Sequence, residues 1–329
     1  MTKTPKATVF GAGVWGSVLA QLLAKKGCPV TLWEHFPHLL HEIEKHDRHH
    51  PHIPHFRLED SIKLTASLEE AAQGMELGVI VISSKAMRPF AASLGKHFSG
   101  AAAPLVSASK GLEENSGLTM CEVIESELPA FKDMVMALSG PSFAIEIARA
   151  VPSMLVLAGQ DAQLTEQVRA VLDGFPLRVE SSADRRGVEW GGATKNVLAI
   201  ACGIVDGLNL GMNTKAALIT QAVREMRDII AAAGGKPETV YGLAALGDFI
   251  LTGTSELSRN HKLGMKLAQG KAVSQARSEI NTVTEGADSA DCIFKIVSVK
   301  NINAPVVAAV RKIIREGAPP ETAVKALGF

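Results

Sequence analysis

The sequence has no surplus charge of either sign, no closely spaced cysteines and no long apolar run. Lys+Arg and Asp+Glu both number 34, so no global field attracts nucleic acid or an anionic membrane. The cysteines at 28, 121, 202 and 292 lie far apart, which favours neither a metal site nor a disulfide framework. No uninterrupted apolar run reaches the roughly 18 residues that a membrane span needs. These absences argue against nucleic-acid-binding, disulfide-stapled and membrane-spanning proteins.

The remaining composition is that of an ordinary globular protein. Of 329 residues, 47% are apolar and 21% charged, and the length suits two domains. The opening Met-Thr-Lys-Thr-Pro-Lys leads straight into a strand and leaves no room for a signal peptide. We therefore expect a cytoplasmic protein with reduced thiols.

A glycine-rich turn opens the folded part of the chain. Ala7 to Phe10 is a short apolar strand, followed by Gly-Ala-Gly-Val-Trp-Gly and a helical pattern to Lys26. In a dinucleotide-binding turn, Gly11 allows the tight bend, Gly13 lets backbone approach the pyrophosphate, and Gly16 lets helix pack on strand. The order of strand, turn and helix predicts phosphates at the helix N-terminus.

A second strand, Val30 to Trp33, ends in Glu34 and His35. A carboxylate in that place accepts the ribose 2'-hydroxyl of NAD and repels the 2'-phosphate of NADP. A protonated His35 argues weakly for the opposite preference. The expected cofactor is therefore NAD or NADP.

Eight of the ten histidines lie between His35 and His55. The segment lacks a repeated metal-ligand spacing, and Pro51 and Pro54 are typical of an irregular loop. We expect a solvated loop and no metal site.

Strands and helices alternate through the first half of the chain, which predicts an α/β fold. The further expected strands are Ile62 to Thr65, Val79 to Ile82, Leu105 to Ala108, Val135 to Leu138, Met154 to Leu157 and Leu177 to Glu180. Such alternation favours a doubly wound, Rossmann-type, largely parallel sheet over residues 1–186. Ligands bind at the carboxyl ends of strands in these sheets.

Two of those strand ends carry residues capable of chemistry. One is Ser-Lys-Gly at 109–111, and the other is Ser-Gly-Pro-Ser-Phe-Ala at 139–144. Lys110 is also compatible with an ordinary loop lysine, and Ser142 with a helix cap.

After Arg186 the strand signals stop, and an all-α second domain is predicted over residues 187–329. Its first helix, from Glu189 to Gly207, is almost wholly apolar except for Lys195 and Asn196. Burial disfavours a charged lysine, so a buried lysine tends to be paired or catalytic. For a lone lysine, a snorkelling ammonium is the alternative.

Further along the second half, Asp248 and Thr252 stand four residues apart and share one face of a helix. Ser258, Arg259 and Asn260 supply a hydroxyl, a guanidinium and an amide, a set suited to phosphate oxygens. Helix capping by Asp248 and a surface role for Arg259 are the structural alternatives.

Taken together, these motifs closely resemble the bacterial NAD(P)-dependent glycerol-3-phosphate dehydrogenases. The resemblance covers nearly the whole chain in the family's order. The motifs are Gly-Ala-Gly-x-Trp-Gly, Ser-Lys-Gly, Ser-Gly-Pro-Ser-Phe-Ala, Lys-Asn at 195, Asn-Thr-Lys-Ala-Ala-Leu-Ile-Thr from 213, Gly-Leu-Ala-x-Leu-Gly-Asp and Ser-Arg-Asn.

The resemblance implies reversible hydride transfer between NAD(P)H and dihydroxyacetone phosphate, giving sn-glycerol 3-phosphate for phospholipid synthesis, with Lys195 as the catalytic acid/base. It implies substrate contacts from Lys110, Gly140, Ser142, Asp248, Ser258, Arg259 and Asn260. It implies cofactor contacts from Val14, Trp15, His35, Lys110, Ala144, Arg259, Val283 and Glu285.

The chemistry of the residues agrees with that implication. Hydride arriving at a ketone carbon makes an alkoxide, which a nearby ammonium stabilises and protonates. Lys110 lowers and Asp248 raises the pKa of Lys195, so a tuned value is expected. Asn196, Asp248 and Thr252 are expected to orient Lys195, and we expect the site in the cleft between the two domains.

Some positions depart from the family pattern, and rival functions exist. Val14 stands where Ser or Thr is usual, and Ala245 and Gly253 stand where Gly and Cys are commoner.

A β-hydroxyacid dehydrogenase shares the glycine turn and the central Lys-Asn pair but has no need for a phosphate grip at Arg259. A dinucleotide-sensing protein without turnover is the rival of another class. The apolar helical domain favours a homodimer.

Overall fold

The computed structural model describes residues 4–98, 102–280 and 284–328. By internal contacts the chain forms two compact units. The first contains Met1–Ser109, Met120–Leu138 and Ser142–Arg185, and the second contains Lys110–Thr119, Ser139–Pro141 and Arg186–Phe329. A domain division between residues 186 and 187 stays a prediction.

The first unit is built on a mostly parallel sheet, which confirms the predicted fold class. The strands are β1 Ala7–Phe10, β2 Val30–Trp33, β3 His49–His50, β4 Ile53–Arg57, β5 Lys63–Thr65, β6 Leu77–Ile80, β7 Leu105–Ser107, β8 Val135–Ser139, β9 Ser153–Ala158 and β10 Leu177–Ser182. Eight of them form one sheet in the order β10-β9-β8-β7-β6-β1-β2-β5, and β3 pairs only with β4.

Strands β1, β2 and β6 of this sheet are mostly apolar because both faces of the sheet are covered. Every residue of β1, β2 and β6 is buried. Parallel pairing sets Ala7 beside both Val30 and Leu77, so β1 lies between β2 and β6. The turn after β1 therefore begins at the carboxyl edge of the sheet, where ligands bind in such folds.

Helices follow most of these strands in the first unit. They are α1 Val14–Lys25, α2 Pro37–Lys45, α3 Leu68–Ala72, α4 Met87–His97, α5 Met120–Glu127, α6 Ala144–Ala148 and α7 Ala162–Leu172.

The histidine-rich segment is not an irregular loop, so that expectation is wrong. It forms α2 and the antiparallel hairpin of β3 and β4. Leu40 and Ile43 on α2, with Ile53 and Phe56 on β4, are buried in the core of the unit. Pro51 does lie in a turn, the one that joins β3 to β4, but the apolar residues that recur among the histidines and prolines hold the flanking segments in the core.

The second unit is helical, as predicted for the C-terminal half. Its helices are α8 Arg185–Gly207, α9 Gly211–Ala232, α10 Asp248–Thr254, α11 Arg259–Ala268, α12 Val273–Ile280, α13 Glu285–Val299, α14 Pro305–Glu316 and α15 Thr322–Lys325. Within the described ranges, no helix is long and apolar enough to cross a membrane.

Helices α8 and α11 cross at glycines. A Cβ on Gly203 would overlap the carbonyl oxygen of His261, and one on Gly264 would overlap that of Ile200. The two backbones are therefore in contact, which side chains at either glycine would prevent. This close crossing fixes the first turn of α11 beside α8, the helix that carries Lys195.

Candidate active site

Lys195 is buried on α8, and its ammonium group contacts two side chains of α10. Nζ of Lys195 donates to Oγ1 of Thr252 at 2.6 Å and lies 3.1 Å from Oδ1 of Asp248. The side chain is only 6% exposed, so it does not snorkel to solvent. The structure therefore matches the paired, buried alternative for this lysine.

Asp248 joins two lysines. Its Oδ2 accepts from Nζ of Lys110 at 2.6 Å, while its Oδ1 faces Lys195 and accepts from Oγ1 of Thr252 at 3.2 Å. The ammonium of Lys110 also donates to the carbonyl oxygen of Gly140 at 3.0 Å. The segments 110–119 and 139–141 belong to the second unit, so this cluster lies wholly within that unit.

Burial and the neighbouring charges shift the pKa values of Lys195 and Asp248. Burial lowers the pKa of Lys195 to about 8, with Asp248 opposing that effect and Lys110 adding to it. Burial also raises the pKa of Asp248, but Lys110 and Lys195 outweigh it, so that pKa lies below its ordinary value. The site thus holds an ionised carboxylate beside an amine that titrates near physiological pH.

The spacing of Asp248 and Thr252 produces this geometry because both lie on α10, one helical turn apart. A π-helical turn, Leu243–Gly247, leads into α10. Ala245 in that turn packs on Gly191 of α8, where an added Cβ would lie 2.9 Å from the Cβ of Ala245. This packing brings the start of α10 against α8, close to Lys195.

The Lys-Asn pair and the Ser-Arg-Asn motif meet through their asparagines. Nδ2 of Asn260 donates to Oδ1 of Asn196 at 2.9 Å, and Oδ1 of Asn260 accepts from the backbone N–H of Gly286 at 3.1 Å. Asn260 thus links α8, α11 and α13, and among the described residues no partner is found for the second N–H of its amide.

Ser258 and Arg259 stand at the start of α11. Oγ of Ser258 caps the helix by accepting from the backbone N–H of His261 at 3.2 Å. Arg259 is exposed and borders a groove of about 640 Å³ whose lining includes two lysines and two glutamates, and Lys266 of this groove is paired with Glu279. A guanidinium at a helix N-terminus suits an anionic group.

Glu285 opens α13. Burial raises the pKa of Glu285, whereas Arg259, Lys195 and Lys110 oppose that effect. The carboxylate therefore belongs to the electrostatic surroundings of Lys195. Val283, the other cofactor residue predicted in this stretch, lies outside the described residues.

The first unit forms the glycine-rich turn as predicted. Gly11 has φ of +110°, and a Cβ there would overlap the carbonyl oxygen of Val81. A Cβ on Gly16 would overlap the carbonyl oxygen of Gly11, whereas one on Gly13 would meet nothing within 4 Å. No side chain of the described residues caps the N-terminus of α1 at Gly13. Its exposed backbone N–H groups fit a dinucleotide phosphate.

Glu34 and His35 differ in their surroundings. The buried carboxylate of Glu34 accepts from the backbone N–H of Ala12 at 2.8 Å and from that of Phe36 at 3.1 Å. Glu34 therefore ties β2 to the glycine-rich turn and retains lone pairs for a ribose hydroxyl. His35 is exposed, with its ring 4.9 Å from that of Phe36.

Val14, Trp15, Ser142 and Ala144 also belong to the first unit. Val14 and Trp15 form the first turn of α1, and Ala144 opens α6. All four are partly exposed. Their contacts with ligands stay predictions.

A second ionic cluster, which is partly buried, was not predicted from the sequence. Oδ2 of Asp206 lies 2.6 Å from Nζ of Lys215 and 2.6 Å from Nε2 of His261. His261 directly follows Asn260 on α11, so the cluster supports the turn that carries the Ser-Arg-Asn motif. The sequence carried two signals of this cluster, the aspartate near the end of the apolar helix α8 and Lys215 in the Asn-Thr-Lys motif from 213.

Within the described parts of the chain, no group of three or more His, Cys, Asp or Glu side chains is arranged to hold a metal ion.

Comparison with known proteins identifies the family of both halves. Residues 6–165 match a sequence model described as NAD-dependent glycerol-3-phosphate dehydrogenase N-terminus, and residues 184–325 match the corresponding C-terminus.

Individual proteins similar to this chain are named as members of the same family. A protein of Geobacter metallireducens, named glycerol-3-phosphate dehydrogenase, NAD(P)+, is 41% identical over 97% of this chain and 95% of its own length. A protein of Fusobacterium nucleatum with the same name is 38% identical over 98% of this chain and 96% of its own. The crystal structure of glycerol-3-phosphate dehydrogenase from Coxiella burnetii superposes with a TM-score of 0.91 at 33% identity, covering 98% of each chain. The chain therefore belongs to the NAD-dependent glycerol-3-phosphate dehydrogenase family.

Proposed function

We propose that this protein catalyses reversible hydride transfer between NAD(P)H and dihydroxyacetone phosphate, giving sn-glycerol 3-phosphate, with Lys195 as general acid and base. The main support for the catalytic role of Lys195 is the state of its side chain. Its ammonium group is buried, has a pKa near 8 and lies 3.1 Å from the carboxylate of Asp248. Such a group both stabilises an alkoxide and exchanges a proton at physiological pH.

In the reductive direction, the ammonium of Lys195 donates its proton to the substrate oxygen as the ketone becomes an alkoxide. The hydride would come from the reduced nicotinamide of NAD(P)H when that cofactor is bound. Asp248 keeps Lys195 charged before the step, and Thr252 directs Nζ through its 2.6 Å hydrogen bond. In the oxidative direction, neutral Lys195 accepts the hydroxyl proton.

Substrate binding is assigned to groups around this lysine. Lys110 lies on the far side of Asp248 and supplies a second cation. Arg259, with the remaining N–H of Asn260, is suited to the phosphate. We assign further substrate contacts to Gly140, Ser142 and Ser258, and an orienting role to Asn196.

Membership of the NAD-dependent glycerol-3-phosphate dehydrogenase family implies that the cofactor is NAD or NADP. The N-terminus of α1, with Gly11, Gly13 and Gly16, would hold the pyrophosphate. Glu34 and His35 would face the adenosine ribose. The other cofactor contacts that we propose are Val14, Trp15, Lys110, Ala144, Arg259, Val283 and Glu285.

The experiment follows the absorbance of NADH and, separately, NADPH in the presence of dihydroxyacetone phosphate. Unphosphorylated dihydroxyacetone is the control substrate. Oxidation of cofactor that depends on the phosphate supports the proposal. Equal rates with both substrates would favour a hydroxyacid-type dehydrogenase, and binding of cofactor without turnover would favour a sensing role.

We further propose that the product feeds phospholipid synthesis in the cytoplasm and that the enzyme is a homodimer. The product is the glycerol phosphate backbone of these lipids. Light scattering of the full chain tests the dimer, and a monomeric mass would refute it.

A further inference from the structure

One histidine of the histidine-rich segment is attached to the glycine-rich turn. His50 on β3 is wholly buried, and its Nε2 lies 3.0 Å from the carbonyl oxygen of Ala12. Ala12 is the second residue of the turn, between Gly11 and Gly13. Both residues lie in the first unit. The function proposed above leaves His50 without a role.

Two hydrogen bonds fix the protonation of this ring. Nδ1 of His50 accepts from the backbone N–H of His52 at 3.2 Å, so the proton resides on Nε2 and is donated to Ala12. Burial lowers the pKa of His50, the Ala12 carbonyl opposes that effect, and His52 adds to it. The neutral ring therefore donates a hydrogen bond to the carbonyl oxygen of Ala12 in the turn.

The hairpin that carries His50 is anchored in the core. His50 pairs with Ile53 across the hairpin, and Ile53 and Phe56 are buried among the apolar residues of the unit. Movement of strand β3 away from Ala12 would require these side chains to leave their packing.

The backbone of Ala12 is held at both ends. Its N–H donates to Oε2 of Glu34 at 2.8 Å, and its carbonyl accepts from Oγ of Ser17 at 3.0 Å as well as from His50. In a trans peptide, the carbonyl of Ala12 and the N–H of Gly13 point in opposite directions within one plane. Fixing the carbonyl therefore fixes the direction of the Gly13 N–H.

We propose that His50 is a positioning residue for the dinucleotide, because it holds the Ala12 carbonyl and thereby aims the N–H of Gly13 at a phosphate oxygen. The identity of the ligand rests on the function proposed above. Gly13 is exposed and has open space where a Cβ would stand, so its N–H is accessible to such a ligand. His50 itself touches neither substrate nor cofactor in this role.

The test measures equilibrium binding of NADH and of NADPH by fluorescence to the full chain, together with steady-state kinetics. His50→Leu removes the donor and keeps a buried apolar side chain. It should weaken binding of the preferred cofactor about fivefold or more, the effect of one lost neutral hydrogen bond. The KM for that cofactor should rise in parallel, while kcat at saturating cofactor stays close to that of the wild type.

His50→Gln tests rescue, because its amide carries a donor near the position of Nε2, and it should restore most of the affinity. His41→Leu, the same change at an exposed histidine of α2, is the matched control and should bind normally. Ser17→Ala removes the other donor to the same carbonyl and should also weaken binding, which keeps the test valid if His50→Leu does not fold.

Wild-type affinity in His50→Leu would overturn the proposal, as would a Gln variant no better than the Leu variant or a loss confined to kcat. Failure of the proposed function is distinguishable, because it shows as no phosphate-dependent turnover in the wild type.

Discussion

The ammonium nitrogen of Lys195 lies 3.1 Å from Oδ1 of Asp248, and the two side chains are 6% and 3% exposed. Removing one partner of such a pair leaves the other charge buried without compensation, which is strongly unfavourable. The protonation of Lys195 therefore depends on Asp248.

Lys195→Met should lower kcat for the reduction of dihydroxyacetone phosphate by about 10²- to 10⁴-fold, the usual contribution of general acid catalysis. Cofactor affinity should change little, because the glycine-rich turn is intact. Lys215→Met is the matched control, since Lys215 is also buried and paired with an aspartate. It should cost stability and spare kcat. Near-normal turnover of Lys195→Met would refute the assigned role.

The pH dependence should follow Lys195. Reduction needs the ammonium form, so kcat/KM for reduction should fall as pH rises through about 8, and oxidation should increase over the same range. In Asp248→Asn the carboxylate no longer raises the pKa of Lys195, so both inflections should move to lower pH. Asp206→Asn, which alters the other ionic cluster, should leave them in place. Unshifted inflections in Asp248→Asn would contradict the coupling.

Arg259→Ala should raise the KM for dihydroxyacetone phosphate, because a charged hydrogen bond to the phosphate is lost. Such bonds contribute about 1.5–3 kcal/mol, so a rise of roughly 10- to 100-fold is expected. The rate with unphosphorylated dihydroxyacetone should change far less. Lys325→Ala, at the last residue of α15, is the control for loss of a positive charge. If Arg259→Ala keeps the wild-type KM, the phosphate assignment is wrong.

Gly264→Ala should destabilise the protein, because a Cβ at this position overlaps the Ile200 carbonyl and lies 2.8 Å from the nitrogen of Ile204. Separation of α8 from α11 is expected to cost about 1–3 kcal/mol. Denaturant unfolding measures this difference. Gly247→Ala is the control, since its Cβ would have ordinary contacts at 3.8 Å. Equal stability of both variants would show that the crossing tolerates a side chain.

Glu225→Ala should also lower the free energy of unfolding. The buried carboxylate of Glu225 accepts from the backbone N–H groups of Val306 at 2.9 Å and Val307 at 3.0 Å, at the start of α14. Leaving these donors without a partner should cost about 2 kcal/mol. The exposed Glu238→Ala should change stability by less than about 0.5 kcal/mol. A neutral result for Glu225→Ala would mean that solvent reaches these donors.

Glu225 also gives stability a pH dependence. Burial raises the pKa of Glu225 above 4.5, although the two backbone donors oppose that effect. The folded protein then binds a proton more tightly than the unfolded chain does, so this contribution is present below pH 4.5 and is lost as pH rises through the folded pKa. Titration of stability in Glu225→Gln should lack this slope, and retention of the slope would assign it to another group.

The glycine-rich turn and most strands could be predicted because their causes are local. Gly11 and Gly16 have no space for a Cβ, and β1 is buried on both faces. The glycines and the mostly apolar strand are therefore visible as residue types in the sequence. The prediction failed in the histidine-rich segment. There, the many polar residues and prolines obscured the apolar pattern of a strand. The burial of a few apolar side chains, such as Ile53, holds the hairpin in place.

The α/β class, the helical second half and the residue types at the candidate site could be predicted from the sequence, since periodicity, glycine spacing and motif order are properties of the chain. Which of these groups meet depends on the tertiary structure. Lys110 and Asp248 are 138 residues apart yet lie 2.6 Å from each other, and His50 reaches Ala12 across 38 residues. Contacts of this kind depend on how helices and strands pack in three dimensions, and local sequence patterns carry no record of that packing.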